Sequence, residues 1–276
     1  MKINKVTITG ADDKTNPNDL IDLSIKYPFV EWAILFSNSR QGQERYPSEE
    51  WKMKFDTLSR LMPGSNKQVA AHFCGWYSNE VLENSNIDLL RNLSSIFKRV
   101  QINYNFKRSK NWKLTPVLEY AKENPDRSII FQYNFNNADA LTDMIIESEF
   151  KDPINQAMIQ AAKKTLKTHG QEVIENVPSN VHFLFDSSGG NGLYDDSLFY
   201  TEPILDYYTG YAGGINCENV ESICKIITDN KPTTHIYHPN NTNCWIDLES
   251  GVRTNNEFDL EKAETILRIT SKFVEK

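Results

Sequence analysis

Phe185-Asp186-Ser187-Ser188-Gly189-Gly190-Asn191-Gly192, Gly210-Tyr211-Ala212-Gly213-Gly214-Ile215-Asn216 and Asp247-Leu248-Glu249-Ser250-Gly251-Val252 each continue a short apolar run into a glycine turn. A strand that ends in glycine brings bare backbone N–H groups up to an anion, because no Cβ stands in the way. Gly190 in the first turn, Gly213 and Gly214 in the second, and Ser250 and Gly251 in the third are the expected phosphate-binding positions. Two such turns in succession, each followed by a helical stretch, describe an anion grip at helix N-termini. A phosphorylated small molecule is the expected ligand.

Outward from these turns, apolar strand candidates alternate with helical patterns, as parallel βαβ units require. The strands are read at Val6 to Thr9, Trp32 to Phe36, Gln68 to Phe73, Arg99 to Asn103, Ser128 to Gln132, Val181 to Phe185, Tyr208 to Ala212 and Cys244 to Asp247. Asn16-Pro17 caps and opens the first helix, which runs to about Tyr27. Ser48 followed by Glu49-Glu50 opens the second, and Pro63-Gly64 stops it. Further helices are read at about Leu114 to Asn124, Asn216 to Thr228 and Asp259 to Val274. Eight right-handed repeats close as a single-domain (β/α)8 barrel over residues 1–276. Two segments exceed this minimum. Residues 137–178 carry an extra helical elaboration, whose amphipathic stretch from Pro153 to His169 would suit a lid or a homodimer contact. The stretch Thr233 to Asn241 precedes strand eight, so His235 and His238 fall at the far end of the barrel and are read as structural or solvent-facing rather than as ligands, although their spacing alone would permit a metal.

Composition narrows the functional classes. The 276 residues are 39% hydrophobic and 24% charged, as in a soluble globular protein, and no apolar run approaches the roughly 20 residues of a membrane span. Met1 to Thr9 enters strand alternation without a secretory core, so a cytoplasmic setting and no membrane partner are expected. Cys74, Cys217, Cys224 and Cys244 form no CxxC pair, which argues against a disulfide framework or structural zinc, and the last two are read as buried thiols. A net charge of −7 without a basic aromatic run argues against nucleic acid. No metal and no cofactor are expected.

In such barrels the chemistry sits at the C-terminal strand ends. Thr9, Asp12 and Asp13 stand there after strand one, Arg40 and Arg45 after strand two, and His72 and Cys74 on strand three. The pairs His72/Cys74, Gln101/Asn103 and Gln132/Asn134 are two apart, so each pair points inward together. Amides suit sugar hydroxyls but neither give nor take protons; the alternative is that they satisfy one another. Asp186 closes an apolar strand and is the expected acid, in a setting that favours proton transfer. Asp247 and Glu249 share one face, within reach of Asp186 or Arg253. No lysine closes a strand, which argues against a Schiff-base aldolase.

The chain resembles the phosphoribosylanthranilate isomerases of tryptophan biosynthesis, and more closely a divergent, longer group of isomerase-like proteins. The resemblance is carried by Phe185-Asp186-Ser187 with Gly189 to Gly192, by Ala212-Gly213-Gly214-Ile215-Asn216-Cys217-Glu218-Asn219-Val220, and by Glu249-Ser250-Gly251-Val252 with Asp259. Arg45-Tyr46-Pro47-Ser48, Val100-Gln101-Ile102-Asn103 and Thr9-Gly10 are weaker echoes. It implies an Amadori rearrangement of a phosphoribosylated aromatic amine. Asp186 would be the acid, Gly213, Gly214, Ser250 and Gly251 the phosphate site, and Arg45 the receiver of the substrate carboxylate. The family's base is a cysteine at the end of strand one, where this chain has Thr9. A replacement base is sought in His72 or Cys74, with Asp12 and Asp13 as further candidates. Two readings follow. One is an isomerase acting on a phosphorylated sugar or its amine conjugate. The other is a barrel that keeps the phosphate turns without the base. A metal-dependent epimerase ranks last, since only His72 and Asp186 stand at strand ends as ligands.

Overall fold

The computed structural model describes residues 1–61, 68–106, 108–109, 111–133, 177–186, 188, 208–229 and 243–274. Asn134, Gly190, His235, His238 and nearly all of the 137–178 elaboration lie outside the described residues. Eight parallel strands close into one barrel in sequence order, with β1 hydrogen-bonded to both β2 and β8. They are β1 (Lys2–Thr9), β2 (Val30–Phe36), β3 (Gln68–Cys74), β4 (Phe97–Asn103), β5 (Ser128–Tyr133), β6 (Val181–Asp186), β7 (Thr209–Ala212) and β8 (Asn243–Leu248). The chain is a single-domain (β/α)8 barrel.

Helices α1 (Pro17–Lys26), α2 (Glu49–Leu61), α3 (Trp76–Leu82), α4 (Asp88–Arg91), α5 (Thr115–Glu123), α6 (Val220–Asp229) and α7 (Leu260–Thr270) surround it. Their starts follow from capping chemistry. The Asn16 side chain accepts from the Asn18 N–H with Pro17 behind it, Ser48 Oγ accepts from the Trp51 N–H at 3.2 Å, and Asp259 accepts from the Lys262 N–H at 3.0 Å. Three features depart from the sequence expectation. Helices α3 and α4 are too short to show a periodic stripe. The hairpin of β9 (Arg253–Thr254) and β10 (Glu257–Phe258) turns on Asn255 and Asn256, both left-handed at φ 50° and 64°. Helix α6 begins at Val220, because Asn216 Oδ1 captures the N–H groups of Glu218 and Asn219 in a turn ahead of it.

Strand alternation divides the core in two. Val6, Ile8, Trp32, Ile34, Phe73, Val100, Phe131 and Phe183 join the helices in one large outer cluster, while Ile130, Leu184 and Trp245 form a small inner one. Buried polar side chains also occupy the barrel axis. Low in the barrel, Glu31 accepts from Arg99 at 2.6 Å, Lys5 at 3.2 Å and Thr7 at 2.8 Å, and the Arg99 guanidinium lies 4.1 Å from the Trp245 ring. Gly210 leaves room for that ring: a Cβ there would sit 2.1 Å from Trp245 Cε2. Gly210→Ala is expected to destabilise the barrel by about 1–3 kcal/mol through overpacking, read as a lower urea midpoint at unchanged slope. Among the described residues no helix is long and apolar enough to cross a membrane.

Candidate active site

A cavity of about 400 Å³ opens at the C-terminal strand ends, and ten of the expected site residues line it: Thr9, Arg45, His72, Cys74, Asn103, Gln132, Asp186, Gly213, Gly214 and Ser250. Every strand from β1 to β8 contributes through its end or the loop after it. The inward pairing read for His72/Cys74 and Gln101/Asn103 is present, since all four face this space.

Asp186 ends β6, opposite Ala212 of β7 in the strand register, and is 4% exposed. Oδ1 accepts from the Ser188 N–H at 3.0 Å and from the Ser188 hydroxyl at 2.6 Å, while Oδ2 accepts from the Gln132 amide. These contacts fix the carboxyl plane at the cavity wall, a requirement for directed proton transfer.

Deeper in, His72 of β3 and Asp247 of β8 meet across the barrel. His72 Nε2 lies 3.9 Å from Asp247 Oδ2, and both atoms are buried without a hydrogen-bond partner. The other carboxylate oxygen of Asp247 accepts from the Thr9 hydroxyl at 3.4 Å. Burial foremost, then the negative charges of Glu31, Glu249 and Asp186, push the Asp247 carboxyl well above its ordinary range of 3.8 against the pull of Arg99. Burial likewise lowers the His72 imidazole to about 3, so it is neutral. A neutral proton acceptor therefore faces a proton-holding carboxyl.

Cys74 is in a different state. Burial pushes its thiol up to about 12 against the opposing effect of the Asn103 amide, which donates to Sγ at 3.3 Å. At neutral pH it is a thiol and not the thiolate a base requires. The amides partly satisfy one another, as Gln101 Nε2 donates to Asn103 Oδ1 at 2.8 Å, yet Gln101 Oε1 is buried without a partner.

The two described glycine turns meet at this end. Gly213 and Gly214 adopt φ of 121° and 62°, which favours glycine, and they line the cavity with Ser250. Gly251 stands behind them, bridged to Asn216 between strand-like segments, where a Cβ would lie 1.9 Å from the Ile215 carbonyl oxygen. Its place is the close approach of one turn to the other, not the cavity lining. Gly251→Ala is expected to push the turns apart, lowering both the melting temperature and the protection that inorganic phosphate gives against heat.

At the rim, Arg45 is paired with Glu249 at 2.8 Å and its own N–H donates to Asp12. Arg253, expected near Asp247 or Glu249, instead pairs with Asp12 at 3.4 Å and donates to the Gly10 carbonyl at 2.5 Å. The hairpin that carries Arg253 is thereby tied to the loop after β1. Asp13 serves the start of α2, accepting from the Ser48 N–H and hydroxyl at 2.8 and 2.9 Å. Arg40 stacks on Tyr46, 5.5 Å from the ring centroid, and both line the cavity. Tyr46 carried no signal in the sequence beyond its place beside Arg45. Asp247 carried only its position two residues from Glu249, because its meeting with His72 depends on barrel closure. Among the described residues no three His, Cys, Asp or Glu side chains converge as a metal would need.

No family model matches the sequence, and no curated protein matches it. Among solved structures the chain is similar to N-(5'-phosphoribosyl)anthranilate isomerase from Pyrococcus furiosus, at TM-score 0.51 and 14% identity over 98% of this chain and 99% of that one. It is also similar to a spore coat polysaccharide biosynthesis protein from Bacillus subtilis, at TM-score 0.52 and 12% identity over 98% of this chain and 68% of that one. At these identities the likeness establishes the barrel, and the chemistry has to be argued from the residues.

Proposed function

We propose that this barrel is an isomerase acting on a phosphorylated sugar or phosphoribosyl amine by acid/base catalysis. Asp186 is the acid that opens the sugar ring, and His72 is the base. One observation carries the reading: a single cavity is lined by the hydrogen-bonded Asp186 side chain, a neutral imidazole, several amides and two glycine turns. The turns suit a phosphate, the amides suit hydroxyl groups, and the two titratable side chains suit proton transfer. Thr9, which has no titration near neutral pH, serves to hold Asp247.

A second reading has its own support. Thr9 stands where a cysteine base belongs in the resembled family, and Cys74 is held as a thiol. A barrel that binds a sugar phosphate without turning it over would have this composition. The test is to follow purified protein with phosphoribosylanthranilate by the change in anthranilate fluorescence. Melting curves with and without inorganic phosphate are recorded alongside. Turnover together with phosphate protection supports the isomerase. Protection without turnover supports the binding barrel, and absence of both turnover and protection overturns both readings. Phosphate at a hundredfold excess over its Kd would contribute about 2.7 kcal/mol, enough to read as a melting shift.

A further inference from the structure

His72 Nε2 and Asp247 Oδ2 are 3.9 Å apart, both are buried, and neither has a hydrogen-bond partner. The separation is too long for a hydrogen bond between them. It is short enough for the two atoms to reach neighbouring atoms of one substrate, a carbon-bound hydrogen at one and an oxygen or nitrogen at the other. Both residues line the cavity. The Thr9 hydroxyl holds the far oxygen of Asp247, which leaves Oδ2 as the atom turned toward His72. A buried pair of this kind is costly unless something uses it.

We propose that His72 and Asp247 form a bifunctional proton-exchange pair that carries the aldose-to-ketose step of the reaction proposed above, with Asp247 as a further catalytic residue. The inference rests on that reading of the substrate, a phosphorylated aldose or its open-chain imine. In the first half, the C2–H proton passes to His72 Nε2 and the C–H electron pair becomes the C1=C2 double bond. The π pair of C1=O or C1=N then forms a bond to the proton released by Asp247 Oδ2. In the second half, His72 returns its proton to C1 and the C2 hydroxyl proton passes to the Asp247 carboxylate, which leaves a ketone at C2. Both side chains end as they began, and no external oxidant or reductant enters. Through both halves the pair changes only between two neutral groups and an ion pair, so its net charge stays zero.

That neutrality explains how groups with such displaced affinities can exchange protons. Burial is the main reason that the imidazole lies at about 3 and the Asp247 carboxyl far above its usual range, and each displacement describes one charge appearing alone. Charges that appear together at this separation offset much of that cost. Of the other charged groups acting on the pair, Glu31, Glu249 and Asp186 disfavour the carboxylate, while Arg99 favours it.

The test compares wild type with Asp247→Asn and His72→Gln, using phosphoribosylanthranilate and its C2-deuterated form. Asp247→Asn is expected to melt at or above the wild-type temperature at neutral pH, since an amide replaces a carboxyl that burial disfavours. It therefore separates folding from chemistry. Each variant is expected to lose at least about a hundredfold in kcat, with KM within about threefold. In wild type, part of the deuterium from C2 should appear at C1 of the product, carried by His72. Wild-type turnover with either variant inside tenfold of it, or with no deuterium reaching C1, would overturn the pair while leaving the isomerase reading intact. Absence of wild-type turnover would overturn that reading and the pair with it.

Discussion

Glu31→Gln is expected to cost the barrel about 3–5 kcal/mol, because it leaves Arg99 and Lys5 as cations that have lost their shared carboxylate inside the barrel. The corresponding fall in melting temperature is roughly 6–20 °C. Glu31 is 1% exposed and Arg99 4%. Burial by itself raises the Glu31 carboxyl, but Arg99 first, then Lys5 and the Thr7 hydroxyl, outweigh it and hold the group below its usual 4.5. Lys5 is itself lowered from 10.5 by burial despite the same carboxylate, and Arg99 is the largest single influence that holds Glu31 down. A depressed carboxyl stabilises the fold above about 4.5, and that contribution is lost as pH falls through the lowered value. Acid melting of wild type should therefore show a loss of stability below pH 4.5 that Glu31→Gln lacks. Replacement of Glu31 and Arg99 together by a glutamine and a methionine should recover part of the loss, because Lys5 is then the one cation of the three-residue cluster left without its carboxylate. If Glu31→Gln melted with wild type, the buried ion pair would have no part in holding the barrel.

The fold was legible because each level of the sequence agreed with the next. The apolar runs from Val6 to Asp247 fell on the eight strands, and Asn16, Ser48 and Asp259 took up the capping positions that their chemistry predicts. What escaped was either short or non-local. Helix α4 has four residues, fewer than one face of a helix needs in order to show itself, and the β9–β10 hairpin has two residues in each strand. The site divides in the same way. His72, Gln101 and Asn103 were readable from alternation along a single strand, and Asp186 from its position at a strand end. The pairing of His72 with Asp247, and the attachment of Arg253 to Gly10 and Asp12, join residues 175 or more positions apart. No local pattern contains such contacts, since closure of the barrel creates them. Environment was equally hidden. Cys74 looked like a base on residue type, and only burial shows that its proton is retained.

Asp186→Asn is expected to lower kcat for a cyclic phosphoribosyl amine by about 10²–10⁴-fold while leaving protection by inorganic phosphate unchanged. The amide is nearly isosteric with the carboxyl, so its oxygen can keep both Ser188 contacts and its NH2 requires the Gln132 amide to turn its own oxygen inward, while the proton that ring opening requires is lost. The phosphate turn should hold its place, because the register of Asp186 with Ala212 is a backbone property of β6 and β7. Two variants then dissect the reaction. A phosphorylated aldose supplied in open-chain form needs no acid at the ring oxygen, so Asp186→Asn should turn it over at close to the wild-type rate. Asp247→Asn should fail on both substrates, because proton exchange between C2 and C1 follows ring opening. Equal loss on the two substrates by Asp186→Asn would instead place Asp186 in the isomerisation itself. Full activity of Asp186→Asn on the cyclic substrate would remove it from the mechanism. The pattern across two variants and two substrates thus assigns each carboxyl its own step, and melting curves taken in parallel separate lost chemistry from lost structure.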